Sequence, residues 1–340
     1  MKGWSMSDIF RRLGNSEKGA VLVFVALTLP VILGFSALVI DIGMLMENRR
    51  LLQNGVDAAA LSGALLLPEA QGNSIATAIS YAQDNGIQGG ELVTPTVSTT
   101  YVPNDTITVS AQRSVPFSFA RVLGINSGTV NATAKAASGI VGKSKGVLPW
   151  GVENPSGVPG CNPDNEFCFE FGQFYTLKLG PGGGIQGAYQ GLAIDGDGSS
   201  IYRESLVNGS TNYLTAGTWV PLQTGNMAGP TNQGLNQRIG QNNQTFSDVV
   251  SYNSGNTPQY TLLDPDSPRL VILPIVREYS GQGSSTDAYV QGFSYFFVES
   301  WQRIGNDMDI NGYFIDTTVP GAIWSPAYVN YGTRAVKLLQ

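Results

Sequence analysis

The sequence has no histidine at all, only two cysteines, and few charged residues. Without histidine, the chain cannot form a Ser-His-Asp triad, a Cys-His pair or a histidine-ligated metal centre. It also lacks the G-x-S-x-G, S-x-x-K and Walker patterns of common enzymes. Hydrolases that use two carboxylates need no histidine, but no pattern pairs two carboxylates here. The sequence therefore predicts a protein that is not an enzyme and needs no cofactor.

Charge is scarce and unevenly placed along the chain. Charged residues make up 13% of it, against roughly 25% in an ordinary soluble domain. Acidic residues outnumber basic ones by 25 to 19, and several of the basic residues precede residue 41. The rest of the chain is therefore distinctly acidic and would be repelled by nucleic-acid phosphates. We predict no nucleic-acid partner. Low charge with 42 glycines is typical of exported β-rich domains with long turns.

The two cysteines, Cys161 and Cys168, lie in a stretch rich in Gly, Pro and Asn. Two cysteines cannot complete a zinc site without other ligands, and histidine is absent. In an exported domain, this spacing predicts one disulfide that closes a small loop. The alternative is a pair of free thiols.

The longest apolar run, residues 19–40, contains 22 residues and no charge. As a helix it is roughly 33 Å long, which is enough to cross a hydrocarbon core of about 30 Å. A cleaved signal peptide has a shorter apolar region. We therefore predict a retained transmembrane anchor over residues 19–46, with a kink at Pro30 near its middle.

Basic residues set the predicted orientation of this anchor. Three of them lie just before the span: Arg11, Arg12 and Lys18. After Arg50, no Lys or Arg follows until Arg113. The positive-inside rule then places residues 1–18 in the cytoplasm. The chain would cross the cytoplasmic (inner) membrane once, with everything beyond the anchor on the extracytoplasmic side.

Beyond the anchor, the patterns predict an α+β fold. The helix continues to about residue 67, a second helix follows, and alternation typical of strands begins with residues 106–115. Residues 47–142 are predicted to form a small extracytoplasmic α/β domain, pilin-like in outline. Residues 143–149 are a candidate boundary. Residues 143–340 are predicted to form a mostly β extracytoplasmic domain with long loops.

Residues 18–64 carry the most specific pattern in the chain. Pro30 lies within the span, Asp41 lies at its outer end, and Gln53 and Asp57 precede a run of small residues. This stretch resembles the N-terminal Tad domain of TadG-like and TadE/G-like proteins of the Tad (Flp) pilus system. The resemblance implies a membrane-anchored structural or assembly component, a minor pilin-like accessory protein of a pilus or secretion machine. It also implies two kinds of partner: the lipid bilayer, and pilus assembly or pilin-like proteins.

Pilin-type leader cleavage needs a Gly followed by an apolar span with Glu at the fifth position. Here Gly14 is followed by Glu17 at the third position and then by Lys18. We expect no such cleavage.

Asp41 is the first candidate for a functional side chain. A carboxylate at the edge of a membrane span is costly and often functional. It would pair with an amine or an Arg of a partner during assembly. At the end of the apolar run it would also reach water cheaply, so both interpretations stay open.

A calcium site is the second candidate. Four residues form the pattern D-x-D-x-N-G, the start of an EF-hand-type loop: Asp307, Asp309, Asn311 and Gly312. The Glu required at position 12 of that loop is absent, and Asp316 would have to replace it. We therefore favour a polar turn over calcium binding, and the same holds for a second acidic turn with Asp195 and Asp197.

The alternative function is that of a surface-displayed binding module, an adhesin or glycan binder on the same anchor. Its candidate contact residues are four tryptophans: Trp150, Trp219, Trp301 and Trp324. Aromatic side chains lie in protein cores more often than at binding surfaces, which makes this the weaker hypothesis.

Overall fold

The computed structural model describes most of the chain. The described residues are 17–180, 188–252, 260–280, 286–319, 323–326 and 329–339. The predicted cytoplasmic segment lies almost wholly outside them, and so does the bond after Gly14 for which we expect no cleavage.

Helix α1 runs from Glu17 to Ala64 and contains Pro30. It therefore joins the predicted anchor to the predicted helical extension. Its large apolar side chains between Val21 and Ile42 are exposed. Among the described residues, α1 is the one helix long and apolar enough to cross a membrane, with a mean hydropathy of 2.6. Apolar side chains exposed on all sides of a helix are typical of a membrane span.

The later turns of α1 are buried instead, and small residues make this possible. A Cβ at Gly55 would lie 2.8 Å from the Cδ1 atom of Ile87, and one at Gly63 would lie 2.9 Å from that of Ile107. Glycine at these positions lets neighbouring elements approach closely. Five apolar residues of this half are fully buried: Leu52, Val56, Ala59, Ala60 and Ala64.

The elements that follow α1 begin with helix α2 and three strands. Their bounds are α2 (Gln71–Asp84), β1 (Leu92–Ser98), β2 (Thr106–Pro116) and β3 (Ser127–Ser144), with a short 3-10 helix at Ala120–Leu123. The second helix and strand β2 confirm the sequence prediction, whereas β1 was not predicted.

The rest of the chain is mostly β. Its strands are β4 (Trp150–Glu153), β5 (Phe174–Leu179), β6 (Ala188–Gly191), β7 (Leu214–Thr215), β8 (Trp219–Pro221), β9 (Val250–Tyr252), β10 (Tyr260–Leu262), β11 (Leu270–Ser280), β12 (Asp287–Ile304), β13 (Asp307–Ile315), β14 (Thr317–Thr318), β15 (Ile323–Ser325) and β16 (Thr333–Leu339). Its helices are α3 (Ser199–Asn208), α4 (Ala228–Ile239) and α5 (Phe246–Val249). The long apolar helix followed by a mostly β region is the predicted α+β class.

The strands form two large sheets and one small one. The first sheet has the order β1-β2-β3-β16-β14, and β7 and β15 also pair with β3. The second sheet has the order β11-β4-β6-β5-β13-β12, and β12 pairs back onto β11. These six strands therefore close into a ring, to which β8 is added at β12. Closure leaves few strand edges open to pairing with other chains. Strands β9 and β10 form a separate antiparallel pair.

Both faces of the closed ring are covered. Phe296 and Val298 of β12 belong to one buried hydrophobic cluster, and Tyr295 and Phe297 belong to another. Successive side chains of a strand point to opposite faces, so alternate residues of β12 enter different clusters. This explains why residues 292–298 of β12 are all buried rather than alternately buried and exposed.

The described residues divide into two compact units. The first comprises the chain up to residue 56 with residues 82–93 and 110–133, and the second comprises residues 57–81, 94–109 and 134–340. The first unit thus contains the apolar part of α1, and the second contains the closed ring. The domain boundary expected near residue 143 is a different division and stays a prediction.

The predicted disulfide is present in the second unit, between Cys161 and Cys168. The side chain of the buried Asn154 organises the same loop. Its Nδ2 atom donates to the carbonyl oxygens of Pro163 and Glu166, at 2.8 and 2.7 Å. Its Oδ1 atom accepts from the N–H of Cys168 at 3.0 Å. A covalent link and three hydrogen bonds therefore hold a loop that has little regular structure.

Candidate functional site

Asp41 lies at the end of the exposed apolar part of α1, yet its side chain is buried, with 2% of the residue exposed. Its carboxylate accepts hydrogen bonds from three consecutive backbone N–H groups. The distances are 2.8 Å from Ser118, 3.1 Å from Phe119 and 2.6 Å from Ala120. These groups begin the 3-10 turn, where backbone donors have no partner within the turn itself. Asp41 supplies that partner from a different element.

The segment that Asp41 holds is the tip of the β2–β3 hairpin, residues 117–126, here called the hairpin loop. The N–H of Phe117 donates to the carbonyl of Asn126 at 2.9 Å and closes its base. Within the loop, the N–H groups of Val122, Gly124 and Ile125 donate to carbonyl oxygens of the loop itself. Gly124 has φ 87°, a left-handed conformation that ends the turn. Seven backbone donors of the hairpin loop are thus satisfied within the first unit.

The side chains of the hairpin loop are unusually apolar for a turn. Three large ones are exposed, Phe119, Val122 and Ile125, and 86% of Val122 is exposed. Together with α1 they border a groove of about 320 Å³. Its lining consists of Leu33, Gly34, Ala37, Leu38, Phe119, Ala120, Val122 and Ile125, with no charged or polar side chain.

Further along the first unit, Arg113 of β2 ties this hairpin to neighbouring segments. Its Nε atom lies 2.6 Å from Oε1 of Glu91, and its second terminal nitrogen donates to Oε2 of Glu91 and to the carbonyl of Gly86. A longer bond of 3.4 Å reaches Oδ1 of Asn48 on α1. The hydrogen bond from Arg113 lowers the pKa of Glu91 and keeps it charged. The strand that carries the hairpin loop is thereby fixed in position.

The other predicted anchor residues lie along α1. Pro30 lies on the exposed apolar part. Gln53 donates from Nε2 to the carbonyl of Thr133 at 3.2 Å, which joins α1 to β3 within the first unit. Asp57 is half-buried on the same helix. The assembly roles of Pro30, Asp41, Gln53 and Asp57 stay predictions.

Two family models match this part of the chain. The Tad model, described as Flp pilus-assembly TadE/G-like, matches residues 19–66. The Tad_C model, described as Tad-like Flp pilus-assembly, matches residues 47–136. Residues 19–136, here called the Tad segment, therefore match two family models of Flp pilus assembly, the first of them TadE/G-like. No curated protein and no solved structure matches the chain.

This Tad segment contains the whole candidate site. Asp41 lies in the part that the first model matches, and the hairpin loop lies in the part that the second model matches. The ring of strands β4–β13 lies beyond both. The sequence prediction found Asp41 but missed the hairpin loop as a functional element. The available signal was a run of large apolar residues at a turn, where polar residues and glycine are expected.

The pattern D-x-D-x-N-G lies outside the Tad segment. It does not form the predicted polar turn, because Asp307 and Asp309 lie on strand β13. Met308 and Ile310 alternate with them and are fully buried, which favours a strand. Asn311 bonds to Thr176 and Ser300. No group of three or more His, Cys, Asp or Glu residues in the described part of the chain could hold a metal ion. The favoured polar turn is therefore wrong at Asp307 and Asp309, and calcium binding stays the less favoured hypothesis.

Asp316, which would have completed that calcium loop, has a different partner. Its carboxylate pairs with the buried Arg334 at 2.9 Å, and Arg334 also contacts Glu69 at 3.1 Å. Burial alone would lower the pKa of Arg334, but the two carboxylates raise it. Asp316 therefore forms a buried ion pair with Arg334 within the second unit.

The two carboxylates of the second acidic turn, Asp195 and Asp197, also accept hydrogen bonds from groups of their own unit. The carboxylate of Asp195 accepts from the N–H groups of Thr211 and Asn212 and from the hydroxyls of Ser205 and Thr211. The carboxylate of Asp197 accepts from the N–H and the hydroxyl of Thr224. Both carboxylates hold loops in place, because donors surround them.

Of the four tryptophans in the alternative hypothesis, Trp150 is fully buried and Trp219 is exposed. Trp301 and Trp324 are half-buried. Trp324 packs against Tyr101, with Lys337 over its ring. Trp219 packs against Tyr289 with ring centroids 5.2 Å apart. The four side chains therefore do not form one exposed aromatic surface.

Proposed function

We propose that the chain is a membrane-anchored structural or assembly component, minor pilin-like, of a Tad/Flp-type pilus or secretion machine. The observation that carries this proposal is the coincidence of two features in residues 19–66. The Tad family model matches there, and the first half of the helix there exposes its large apolar side chains between Val21 and Ile42. A family segment of pilus assembly is thus built around a helix suited to cross a bilayer.

Two further observations support an orientation with residues 1–18 in the cytoplasm and the chain beyond residue 46 outside it. Basic residues lie just before the span, which favours that end on the cytoplasmic side. The second unit carries a disulfide, and disulfides persist in oxidising compartments rather than in the cytosol. The membrane would then be the cytoplasmic one, and the partners would be pilus assembly or pilin-like proteins.

The first experiment is to shear cells that express the full chain and to follow it by mass spectrometry. Full-length chain in the membrane fraction supports an anchored assembly component. Chain in the sheared filaments, especially chain that begins after Gly14, would instead identify a processed filament subunit. Chain that stays soluble after lysis would overturn the anchor. Protease added to spheroplasts should digest the chain beyond residue 46 if the orientation is correct.

A matched pair of variants isolates the role of the span. Leu29 and Leu263 are exposed leucines, one on α1 and the other in the second unit. Leu29→Arg should release a large part of the chain from the membrane fraction, because an Arg at the centre of a span costs about 3 kcal/mol. Leu263→Arg should leave its distribution unchanged. Equal behaviour of the two variants would contradict the proposal.

The binding-module alternative predicts that the anchored chain retains glycans on an array. The assembly proposal predicts co-purification with other pilus components and no such retention. Trp219 is the exposed tryptophan of the four, so Trp219→Ala should abolish glycan binding if that alternative is correct.

A further inference from the structure

The hairpin loop and the apolar part of α1 together form one continuous apolar surface. Exposed side chains continue from Leu33 and Leu38 of the helix to Phe119, Val122 and Ile125 of the loop. The helical side of this surface belongs to the segment that is suited to cross a bilayer. Apolar surface of this extent, exposed and rimmed by the span, marks an interaction site.

Position along the helix places this surface at the depth of the hydrocarbon core. Leu33 precedes Asp41 by eight positions in the sequence, which corresponds to about 12 Å along an α-helix. Half of a typical hydrocarbon core is about 15 Å thick. If residues 19–40 span the bilayer, the groove therefore lies inside the leaflet next to Asp41, and the hairpin loop lies there with it.

The backbone of the hairpin loop is suited to such a place. Irregular backbone is excluded from lipid because its N–H groups would lack hydrogen-bond partners. Here Asp41 satisfies the N–H groups of Ser118, Phe119 and Ala120. The N–H groups of Phe117, Val122, Gly124 and Ile125 donate to carbonyl oxygens of the loop. The buried carboxylate of Asp41 therefore supplies acceptors that the backbone of the hairpin loop would lack in lipid.

Lipid fits the groove better than a partner helix. The groove is lined by apolar side chains alone, without a polar group to select or orient a protein partner. The large apolar side chains of α1 between Val21 and Ile42 are exposed on every side and not only along the groove, as lipid contact requires. Arg121 of the hairpin loop is exposed, and a long basic side chain there can extend to lipid phosphates.

We propose that the hairpin loop inserts into the membrane leaflet next to Asp41, with lipid acyl chains in the groove between the loop and α1. Asp41 acts as a positioning residue that makes the loop compatible with lipid. The protein would then have two attachments to the bilayer, the span and the loop. This inference rests on the proposed membrane span.

The test uses full-length chain reconstituted into vesicles of phosphatidylcholine and phosphatidylglycerol. Both native cysteines form the disulfide, so an introduced cysteine can be labelled alone with an environment-sensitive fluorophore. Three variants are compared: Val122→Cys in the hairpin loop, Leu29→Cys in the span, and Val93→Cys as a matched control. Val93 is an exposed valine of the same unit. Lipids that carry a doxyl quencher report membrane depth, and iodide in the buffer reports exposure to water.

The proposal predicts that the labels at 29 and 122 are quenched several-fold more strongly by doxyl lipid than the label at 93, which iodide quenches. If the label at 122 behaves like the label at 93 while the label at 29 is quenched by lipid, the span stands and the inserted loop is wrong. A label at 122 that neither quencher reaches would mean that protein, such as a second copy, fills the groove. That result would also overturn the proposal. Failure of lipid to quench the label at 29 would remove the span itself, and with it the proposed anchor.

Discussion

The two units of this chain achieve stability in different ways. The second unit closes six strands into a ring and covers both faces of β12 with its own side chains. The first unit leaves Phe119, Val122 and the apolar part of α1 exposed. The backbone N–H groups at the start of its hairpin loop nevertheless donate to the carboxylate of Asp41. The second unit therefore buries its apolar side chains within itself, whereas the first unit leaves a large apolar surface exposed.

The largest effect is expected in the core of the second unit. Phe296 is fully buried and packs against Phe314, with ring centroids 4.9 Å apart. Phe296→Ala should lower the free energy of unfolding by about 3–5 kcal/mol, because it removes a large apolar side chain and leaves a cavity. Denaturant unfolding of the purified chain measures this. Phe174 lies on the exposed side of β5, so Phe174→Ala is the control and should cost much less. Similar losses for the two variants would show that the closed ring is not the stabilising core.

The next effect concerns the disulfide loop of the same unit. Asn154→Ala removes three hydrogen bonds and leaves the buried N–H of Cys168 without its acceptor. A buried polar group without a partner costs about 1–3 kcal/mol, and we expect a value near the upper end. Asn165 lies in the same loop with an exposed side chain, so Asn165→Ala should be nearly neutral. The unfolding free energy, measured with the disulfide intact, distinguishes the two. An unchanged value for Asn154→Ala would mean that the disulfide alone holds the loop.

A smaller and more local effect is expected in the first unit. Asp41→Asn leaves one acceptor oxygen for three backbone donors and removes the charge. Hydrogen bonds to a charged group contribute about 1.5–3 kcal/mol. The amides of Ser118, Phe119 and Ala120 should therefore exchange with deuterium faster, while the second unit keeps its unfolding midpoint. Asp84→Asn changes an exposed carboxylate of the same unit and should not alter this exchange. Unchanged protection in Asp41→Asn would show that the carboxylate does not hold the hairpin loop.

The anchor and the disulfide were predictable because each depends on a local or compositional feature. A run of 22 residues without charge has few structural alternatives, and two cysteines have one possible intramolecular pairing. The hairpin loop was harder to predict, because Asp41 lies 77 residues before Ser118 in the sequence. Closure of the ring depends in the same way on pairing between distant strands, β4 with β11 and β5 with β13. Single-sequence patterns show which residues are apolar but not which distant segments meet.

The D-x-D-x-N-G motif shows a different difficulty, because its spacing resembles a calcium site that the local structure does not form. Asp307 and Asp309 have the spacing of a calcium loop, but the buried Met308 and Ile310 between them show that the segment is a strand. Asp316 has a position in the sequence from which it could complete that calcium loop, but its carboxylate pairs with the distant Arg334 instead. Spacing along the chain is weak evidence for a metal site when the alternate residues are apolar.

The smallest predicted effect is a pH dependence in the second unit. Burial would raise the pKa of Asp195, but hydrogen bonds from Thr211, Asn212 and Ser205 lower it below its ordinary value of 3.8. Because the folded-state pKa is below the unfolded one, this carboxylate stabilises the fold at neutral pH. That contribution is lost as the pH falls below about 4 and through the folded-state pKa.

Asp195→Asn should therefore lower the melting temperature at neutral pH and reduce its decrease on acidification. Asp264→Asn is the matched control in the same unit, because it changes a carboxylate that accepts from the side chain of Gln244 and from the N–H of Asp266. If Asp195→Asn melts with the same acid dependence as the unmodified chain, then Asp195 does not contribute to acid sensitivity, and the loops of the second unit rely on its apolar core alone.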